Sequence, residues 1–545
     1  MPWLATDRHP LPQEDLLTWA FDHRTYDPDK PIYHDLENPD RTISWRSGRS
    51  TVRKLIAGFR AAGLQPGDCV SITSFNDIMY SMLFLGLVGA GGIFSGTNPA
   101  YKPYEVRHHI RTAKVKFFIV EPELLENILS TVLSEGIPKE RILIFNTRPE
   151  QVVPEGFRSW EWLLTHGEED WIRITNLETL KTTEIARLTT SGTTGLPKTA
   201  MQSHHNATSW HTMMLETSPP PWEPRNLYPL PQFHVATVPL VHASPFRSGN
   251  PCWLMRRFEL EAFLAAIERH QINYLGIVPP LVIAIIMSPL QHKYSLRSIR
   301  RVGCGAAPLD AGSQKRFQEL CAPDAAFTQV MGMTETTGAI SLFYYPETDD
   351  TGSVGSRFMA NTDVKLINDL GDDVTDFDVR GELCVRGPTV IRGYFGNAKA
   401  NTESWDAEGY FKTGDIMYCD LRSRKWYIVD RKKELIKVRG FQVAPPELEA
   451  VLLANEDIVD CAVIGVKLNP KTGDESPRGY VVRRKGASIT EDAVKALIGE
   501  RLASYKALSG GVVFVDEIPK SASGKILKRV LREEAEKEVK LQPML

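Results

Sequence analysis

At 545 residues and 61.2 kDa the chain exceeds what one ordinary core supports, so at least two domains are expected, one of them large. A hydrophobic share of 42% with Lys+Arg 64 against Asp+Glu 67, formal charge −3, excludes a disordered chain and gives no basic footprint for nucleic acid. Seven cysteines, odd in number, scattered and without a C-x-x-C pair, exclude a disulfide framework and a zinc site and fit a reducing compartment. In chain order, residues 1–15 carry Asp7, Arg8 and Glu14 in place of an apolar run, so a secretory signal is not expected and the expected compartment is cytoplasmic. Cys69 to Ile72, Phe117 to Val120 and Ile142 to Phe145 read as buried strands, with helices over Asn76 to Ala90 and Pro103 to Ala113. The apolar stretches Ser81–Ser95 and Leu275–Leu290 are interrupted by glycines or prolines and fall short of the roughly 20 clean residues of a membrane span. Around Gly381 to Gly393 the pattern changes to short strands and turns, with Glu382 to Arg386 as one strand, and a small β subdomain is expected. A second change follows the basic run Arg431-Lys432-Lys433. Strand and helix signals then recur at Pro445 to Leu453, Cys461 to Val466, Gly479 to Arg483 and Ala493 to Leu502, and Glu533 to Lys540 reads as a charged helix end. The expected class is α/β: a large domain over 1–430 of α/β layers closed by a small β subdomain, and a smaller mobile α+β domain over 431–545. The terminal residues Leu541 to Leu545 are not an S-K-L-type peroxisomal address.

The chemistry concentrates first in Thr189-Thr190-Ser191-Gly192-Thr193-Thr194-Gly195-Leu196-Pro197-Lys198, a loop of hydroxyls, glycines and one lysine that can offer backbone N–H groups and a cation to polyphosphate. Its lysine follows Pro197, so it is not a Walker A loop. The plain reading of such a stretch is a surface loop. Further strings follow in order: Gln232-Phe233-His234, Gly303-Cys304-Gly305-Ala306-Ala307-Pro308, Met331-Gly332-Met333-Thr334-Glu335, Lys412-Thr413-Gly414-Asp415, Asp430-Arg431-Lys432-Lys433-Glu434-Leu435-Ile436-Lys437 and Pro519-Lys520-Ser521-Ala522-Ser523-Gly524-Lys525. Together they resemble the adenylate-forming superfamily of acyl-CoA synthetases, adenylation domains and beetle luciferases along essentially the whole chain. Gly440-Phe441-Gln442-Val443-Ala444-Pro445 is especially similar to 4-coumarate–CoA ligases and their fungal relatives.

The resemblance implies ATP, Mg²⁺ and CoA as the small molecules handled, with a carboxylic acid as substrate and a downstream acyltransferase or synthase as consumer of the product. Ser191, Gly192, Thr193, Thr194, Gly195 and Lys198 would hold the β- and γ-phosphates, Thr334 would lie near the α-phosphate and Glu335 would bind Mg²⁺. Gly305, Ala306, Ala307 and Gly332 would border adenine. Met331 replaces an aromatic common in the family and would pack on the ring through its sulfur. Asp415 would accept from the ribose hydroxyls with Arg431 beside it, although an aspartate after a glycine is ordinarily a turn residue. Lys525 would bridge the acid carboxylate and the α-phosphate, against the plain reading of a solvated basic terminus. Lys433 would be the hinge. Lys437 and Gln442 would serve adenylate formation and nucleotide contact, and Arg439 and Gly440 would border the CoA tunnel, with Arg439 standing where lysine is common.

His234 would gate the acyl pocket, whereas His108, His109, His204 and His205 read as structural. Ala236, Thr237, Leu240, Val330, Gly338 and Ala339 would wall that pocket, and Val330 stands where glycine is frequent, so a shorter or narrower pocket is expected. None of these is cationic, which points to a neutral aromatic or medium-chain acid of secondary metabolism. Three other activities share the strings: an enzyme loading a carrier protein, though an appended carrier domain is not expected after Lys525, a luciferase-like monooxygenase, and a nucleotide-binding protein without catalysis, whose support is Met331.

Overall fold

The structure, a computed structural model, describes residues 3–5, 7–190, 197–438, 441–468, 475–521 and 524–541. Ser191, Gly192, Thr193, Thr194, Gly195, Arg439 and Gly440 lie outside them.

Two seven-stranded sheets carry the first part of the chain. In one, Arg158–Ser159, Ile142–Ile144, Val115–Val120, Cys69–Thr73, Ile93–Thr97 and Glu184–Thr189 run parallel, and Thr199–Ser203 closes the edge antiparallel. In the other, Ala326–Gln329, Arg301–Cys304, Tyr274–Ile277, Asn226–Tyr228, Cys252–Leu254 and Pro31–Asp35 are parallel, with Thr42–Ser44 antiparallel at the edge. Parallel strands need helical crossovers that cover both faces, which accounts for the apolar runs in their sequences. The helix Ile78–Gly89 is apolar around its whole circumference and correspondingly buried along nearly its whole length. Against it packs the amphipathic helix Trp45–Ala61, which turns Val52, Leu55, Ile56 and Phe59 inward and starts at a Ser44/Ser47 capping box. The helix Pro103–Ala113 begins at its proline, where the missing N–H costs nothing.

Asp77 caps the helix Ile78–Gly89 by accepting from the Met79 N–H at 2.8 Å, and Arg41 holds its carboxylate at 2.9 Å. The Asp77 N–H in turn donates to Oε1 of Gln232 at 2.8 Å, which ties the helix start to the segment leading into His234.

A four-stranded antiparallel sheet follows: Asp363–Ile367, Gly381–Arg386, Phe411–Cys419 and Trp426–Arg431. Beyond Arg431 the pairs become local. Ile436–Val438 pairs with Phe441–Val443, and Ile458–Val466, Ser476–Arg483 and Val512–Phe514 form a three-stranded sheet. Helices Pro445–Leu453 and Glu491–Gly499 pack on that sheet around Leu448, Leu452, Val494 and Ile498, and Lys528–Leu541 covers it with Leu531 and Ala535. Among the described residues no helix is long and apolar enough to cross a membrane.

Candidate active site

One cavity of about 730 Å³ gathers residues from both halves of the chain. It lies where Ile277-Val278, Gly305-Ala306 and Val330 continue the parallel strands of the second sheet, the place at which open parallel sheets bind ligands.

At one end the described flanks of the hydroxyl-rich loop are clasped together. The Thr190 N–H donates to the Lys198 carbonyl at 2.8 Å, and the Lys198 N–H donates to Thr190 Oγ1 at 3.2 Å. Lys198 Nζ stands over the Tyr394 ring, 4.4 Å from its centroid. Tyr394 Oη donates to Glu335 Oε1 at 2.8 Å, and Thr334 and Glu335 sit in the short 3₁₀ turn Thr334–Thr336. Burial and the Glu335 charge push the Tyr394 hydroxyl well above its ordinary range, so it remains a donor. Thr190, Lys198, Thr334, Glu335 and Tyr394 all line the cavity.

Beside them runs a wall of small residues, Gly305, Ala306 and Gly332. A Cβ at Gly332 would lie 2.4 to 2.6 Å from backbone atoms of Gly338 and Ala339, so a side chain here would force two strands apart. Met331 is not on this wall. Its side chain is 3% exposed in the apolar core with Ile340 and Val354, because successive residues of an extended segment point to opposite sides and Val330 and Gly332 take the cavity side. Ala307 also stays off the wall. Asp415 is buried within a strand following Gly414, and it pairs across the sheet with Arg431, whose Nε is 3.2 Å from Oδ1. Burial pushes the Asp415 carboxyl up, and Arg431 and Lys525 oppose that shift.

Lys525 comes from the far end of the chain to the same cavity. Its backbone N–H donates to Ser521 Oγ at 3.2 Å. Burial and the nearby Arg431 charge push the ammonium down to about 8, against the pull of Glu434, Asp415 and Glu335. Arg431, Lys432, Lys433 and Glu434 line the cavity at the join between the antiparallel sheet and the segment beyond it. Lys437 does not reach the cavity: it is exposed, and its backbone N–H donates to Glu475 Oε2 at 3.0 Å. Gln442 faces Lys437 across the two-stranded ribbon.

His234 is presented by a segment that buried amides hold in place. Gln232 receives the Asp77 N–H on its side chain, and its own N–H donates to Asn76 Oδ1 at 2.8 Å. The Ala236 N–H donates to His234 Nδ1 at 3.1 Å, so Nε2 carries the proton, and burial with the Lys525 charge pushes the imidazole down to about 4. The four histidines expected to be structural are accounted for elsewhere. His109 sits between Thr97 and Thr189, His204 accepts from the Leu16 N–H at 3.1 Å, His205 reaches Ser209 and His108 reaches the Pro197 carbonyl. No cluster of three metal-ligating side chains occurs among the described residues.

Ala236, Thr237, Leu240, Val330, Gly338 and Ala339 line the cavity with Trp210, Met214, Tyr228 and Phe343. The expectation that the wall holds no cation needs correction, because Arg301 is part of it. Sequence reading missed Arg301, Tyr394 and the paired glycines Gly276 and Gly303. The alternation Arg301, Gly303, Gly305 against buried Val302 and Cys304 was the available signal for the last group.

Residues 21–395 match the family model for the AMP-binding enzyme, and residues 447–525 match that for its C-terminal domain. Acyl-CoA synthetase ACTT5 of Alternaria alternata is 65% identical over 512 residues, 93% of this chain and 88% of the relative. Phenylacetyl-CoA ligase epaB of Aspergillus niger is 49% identical over 97% of this chain and 98% of its own length. The crystal structure of ATP-bound MatB from Rhodopseudomonas palustris superposes with a TM-score of 0.82 at 26% identity, covering 95% of this chain and 98% of that one. The chain therefore belongs to the AMP-binding, adenylate-forming enzyme family and is an AMP-forming acyl-CoA ligase.

Proposed function

We propose that this ligase activates an aromatic or medium-chain acid of secondary metabolism in two half-reactions at the one cavity, residues 431–545 moving as a unit about Lys433 between them. The reading rests on one observation: Lys525, from beyond Lys433, faces the same cavity as Lys198, Glu335 and His234, from before it. In the first half-reaction a carboxylate oxygen of the acid attacks the α-phosphorus of ATP. The bond from that phosphorus to the bridging oxygen breaks, and pyrophosphate leaves with the electron pair. The reactants are all anionic, so fixed positive charge is what the protein contributes. Lys525 bridges the carboxylate and α-phosphate, Lys198 with Ser191, Gly192, Thr193, Thr194 and Gly195 holds the departing phosphates, and Thr334 donates at the α-phosphate. Asp415 and Arg431 take the ribose, and Gly305, Ala306 and Gly332 lie along the base. In the second half-reaction the CoA sulfur attacks the acyl carbonyl carbon, the thiol proton passes to solvent, the bond from that carbon to the phosphate oxygen breaks, and AMP leaves with the electron pair. Arg439 and Gly440 serve CoA, His234 stands at the entrance to the acyl arm, and Gln442 acts with the nucleotide. The enzyme works in the cytoplasm and hands its thioester to an acyltransferase or synthase.

The single oriented carboxylate of Glu335 fits Mg²⁺, which keeps most of its shell as water and phosphate and takes one or two carboxylates from protein. When bound, the ion would neutralise charge on the phosphates. Tyr394 fixes the carboxylate that would hold it, so Tyr394→Phe is expected to raise the Mg²⁺ concentration for half-maximal adenylation roughly 10-fold, read by titrating Mg²⁺ at saturating ATP.

The phenylacetyl-CoA ligase relative supports an aryl acid, and the apolar lining by Trp210, Leu240 and Phe343 fits one. Val330 lines the arm, and its Cγ2 is 3.0 Å from where a Cβ on Gly305 would sit, so it narrows the throat. Val330→Gly is expected to admit bulkier acids, gaining about tenfold in kcat/KM for branched over linear acids of equal length; an unchanged acid profile removes Val330 from selection. Mass spectrometry of products from ATP, Mg²⁺, CoA and an acid panel tests the reading. Acyl-CoA with AMP is expected, and acyl-AMP persisting beside free CoA overturns it.

A further inference from the structure

The acyl arm does not end on apolar side chains. Across the second sheet Asn226 registers with Tyr274, and Tyr274 registers with Arg301. Two residues further along the strands, on the same face, Gly276 registers with Gly303 and Gly303 with Thr328, beside Tyr228. All seven of these residues line the cavity. A Cβ on Gly276 or on Gly303 would meet no heavy atom within 4 Å, so each glycine fronts open space. Two neighbouring strands thus lack side chains at the same level, and the cavity continues over them to the row below. Gly305, beside the nucleotide end, and Arg301 are four residues apart on one strand, roughly 13 Å at about 3.3 Å per residue.

At the bottom stands Arg301, a half-buried residue. It lies 5.1 Å from the Tyr274 ring centroid, and Nη2 donates to the Phe343 carbonyl at 3.4 Å, the long end of the range. Among the described residues no carboxylate lies within ion-pair distance of it. A guanidinium carries five N–H donors, and leaving them short of acceptors inside a largely apolar arm is costly unless a ligand supplies the acceptor. Asn226 adds a polar side chain in the same row, and Tyr228 one in the glycine row above it.

We propose that the acid this enzyme selects carries an acceptor oxygen at its far end, which Arg301 binds after the chain has passed over Gly276 and Gly303. This rests on the acid–CoA ligase reading of the cavity and names the acid's chemical class: a medium-length acid with a distal hydroxyl, carbonyl or carboxylate. A guanidinium rejects the unsubstituted analogue because binding it strands the charge without a partner. Arg301 is thus a specificity-determining residue remote from the reacting carboxylate.

The test compares three straight-chain acids of equal length, ending in a methyl, a hydroxyl or a carboxylate, with thioester formation as readout. The wild-type enzyme is expected to favour the oxygenated acids in kcat/KM by roughly 10- to 100-fold. Arg301→Met, close in length and uncharged, should erase that preference and raise the rate on the methyl-terminated acid. Arg301→Lys should keep a preference for the terminal carboxylate over the methyl. The hydroxyl and carboxylate arms separate a neutral from an anionic tail. Thioesters formed from all three acids at equal efficiency by the wild type overturn the inference while leaving the ligase reading intact, and they do so without relying on any variant. Equal loss on all three acids in Arg301→Met, with the order unchanged, assigns Arg301 a structural role and also overturns it. Failure to form a thioester from any acid counts instead against the ligase reading.

Discussion

Lys525→Ala should lower acyl-adenylate formation by about 10³-fold and leave thioester formation from supplied acyl-adenylate nearly untouched. Lys525 is the cation that the segment beyond Lys433 brings to the cavity wall near Asp415 and Glu335. Loss of a single group that stabilises developing charge typically costs 10²–10³ in rate, and the electrostatic congestion of a carboxylate meeting a triphosphate puts this one at the upper end. Lys198 and Arg431 remain, so activity should not vanish. The acidity of Lys525 adds a second signature. The working form is the ammonium, and burial with Arg431 nearby brings it down to about 8 from 10.5. The kcat/KM for adenylation, which reports the free enzyme, should therefore fall as pH rises through about 8, approaching tenfold per unit above it. Bound phosphate favours the charged form, so kcat should hold to higher pH. The thioester step should show no such inflection. Equal loss of both steps in Lys525→Ala would remove the lysine from its assigned role.

The second large effect is expected three residues on, at Lys528→Met. Lys528 opens the helix Lys528–Leu541 and is buried, with its ammonium 2.9 Å from Glu449 Oε1 on the helix Pro445–Leu453. Glu449 Oε1 also accepts the Val463 N–H at 2.8 Å. Facing them is Asp430 at the end of the strand Trp426–Arg431, its Oδ2 buried without a hydrogen-bond partner among the described residues. One cation therefore acts on two carboxylates, the buried Asp430 before Lys433 and the half-buried Glu449 after it. Removing it strips Glu449 of its ion-pair partner and makes the Asp430 carboxylate harder to keep ionised, at a cost of about 3–5 kcal/mol. The far segment should lose its docking, seen as faster proteolysis after Arg431 and a lower melting temperature. Adding Glu449→Gln to Lys528→Met should recover much of the loss, which a packing defect alone would not.

The same trio has a pH sign. Burial, with Glu434 and Glu449 adding to it and Lys528 opposing, pushes the Asp430 carboxyl up to about 7 from 3.8. The docked state thus binds a proton that the undocked state releases. Its advantage is complete below about 4 and is lost as pH rises through about 7.

Much of the scaffold was legible in the sequence because its signals are local. Pro103 and Pro445 stand at the first turns of their helices, and the apolar runs beginning near Cys69, Val115 and Ile142 are strands buried on both faces. That Thr190, Lys198, Thr334 and Glu335 gather at one cavity was suggested by strings whose members are neighbours in sequence. What failed was parity and distance. Met331 looked like a ring partner, but the residues on either side of it claim the cavity face. Arg301 follows Arg300 and reads as solvated charge. Its direction is set by pairing with Tyr274, a contact that no local pattern encodes. Tyr394 lies 59 residues from the Glu335 carboxylate it orients. Asp415, expected at the ribose, follows a glycine as turn aspartates ordinarily do, yet it is a strand residue because Gly414, at φ +76°, absorbs the irregular backbone just before it.

The central claim is that acid and ATP react at this cavity before CoA is needed. Acid-dependent exchange of labelled pyrophosphate into ATP measures that step directly. Exchange without CoA that depends on the acid and is lost in Lys525→Ala is the expected result; thioester formation with no exchange, or exchange that requires CoA, would contradict it.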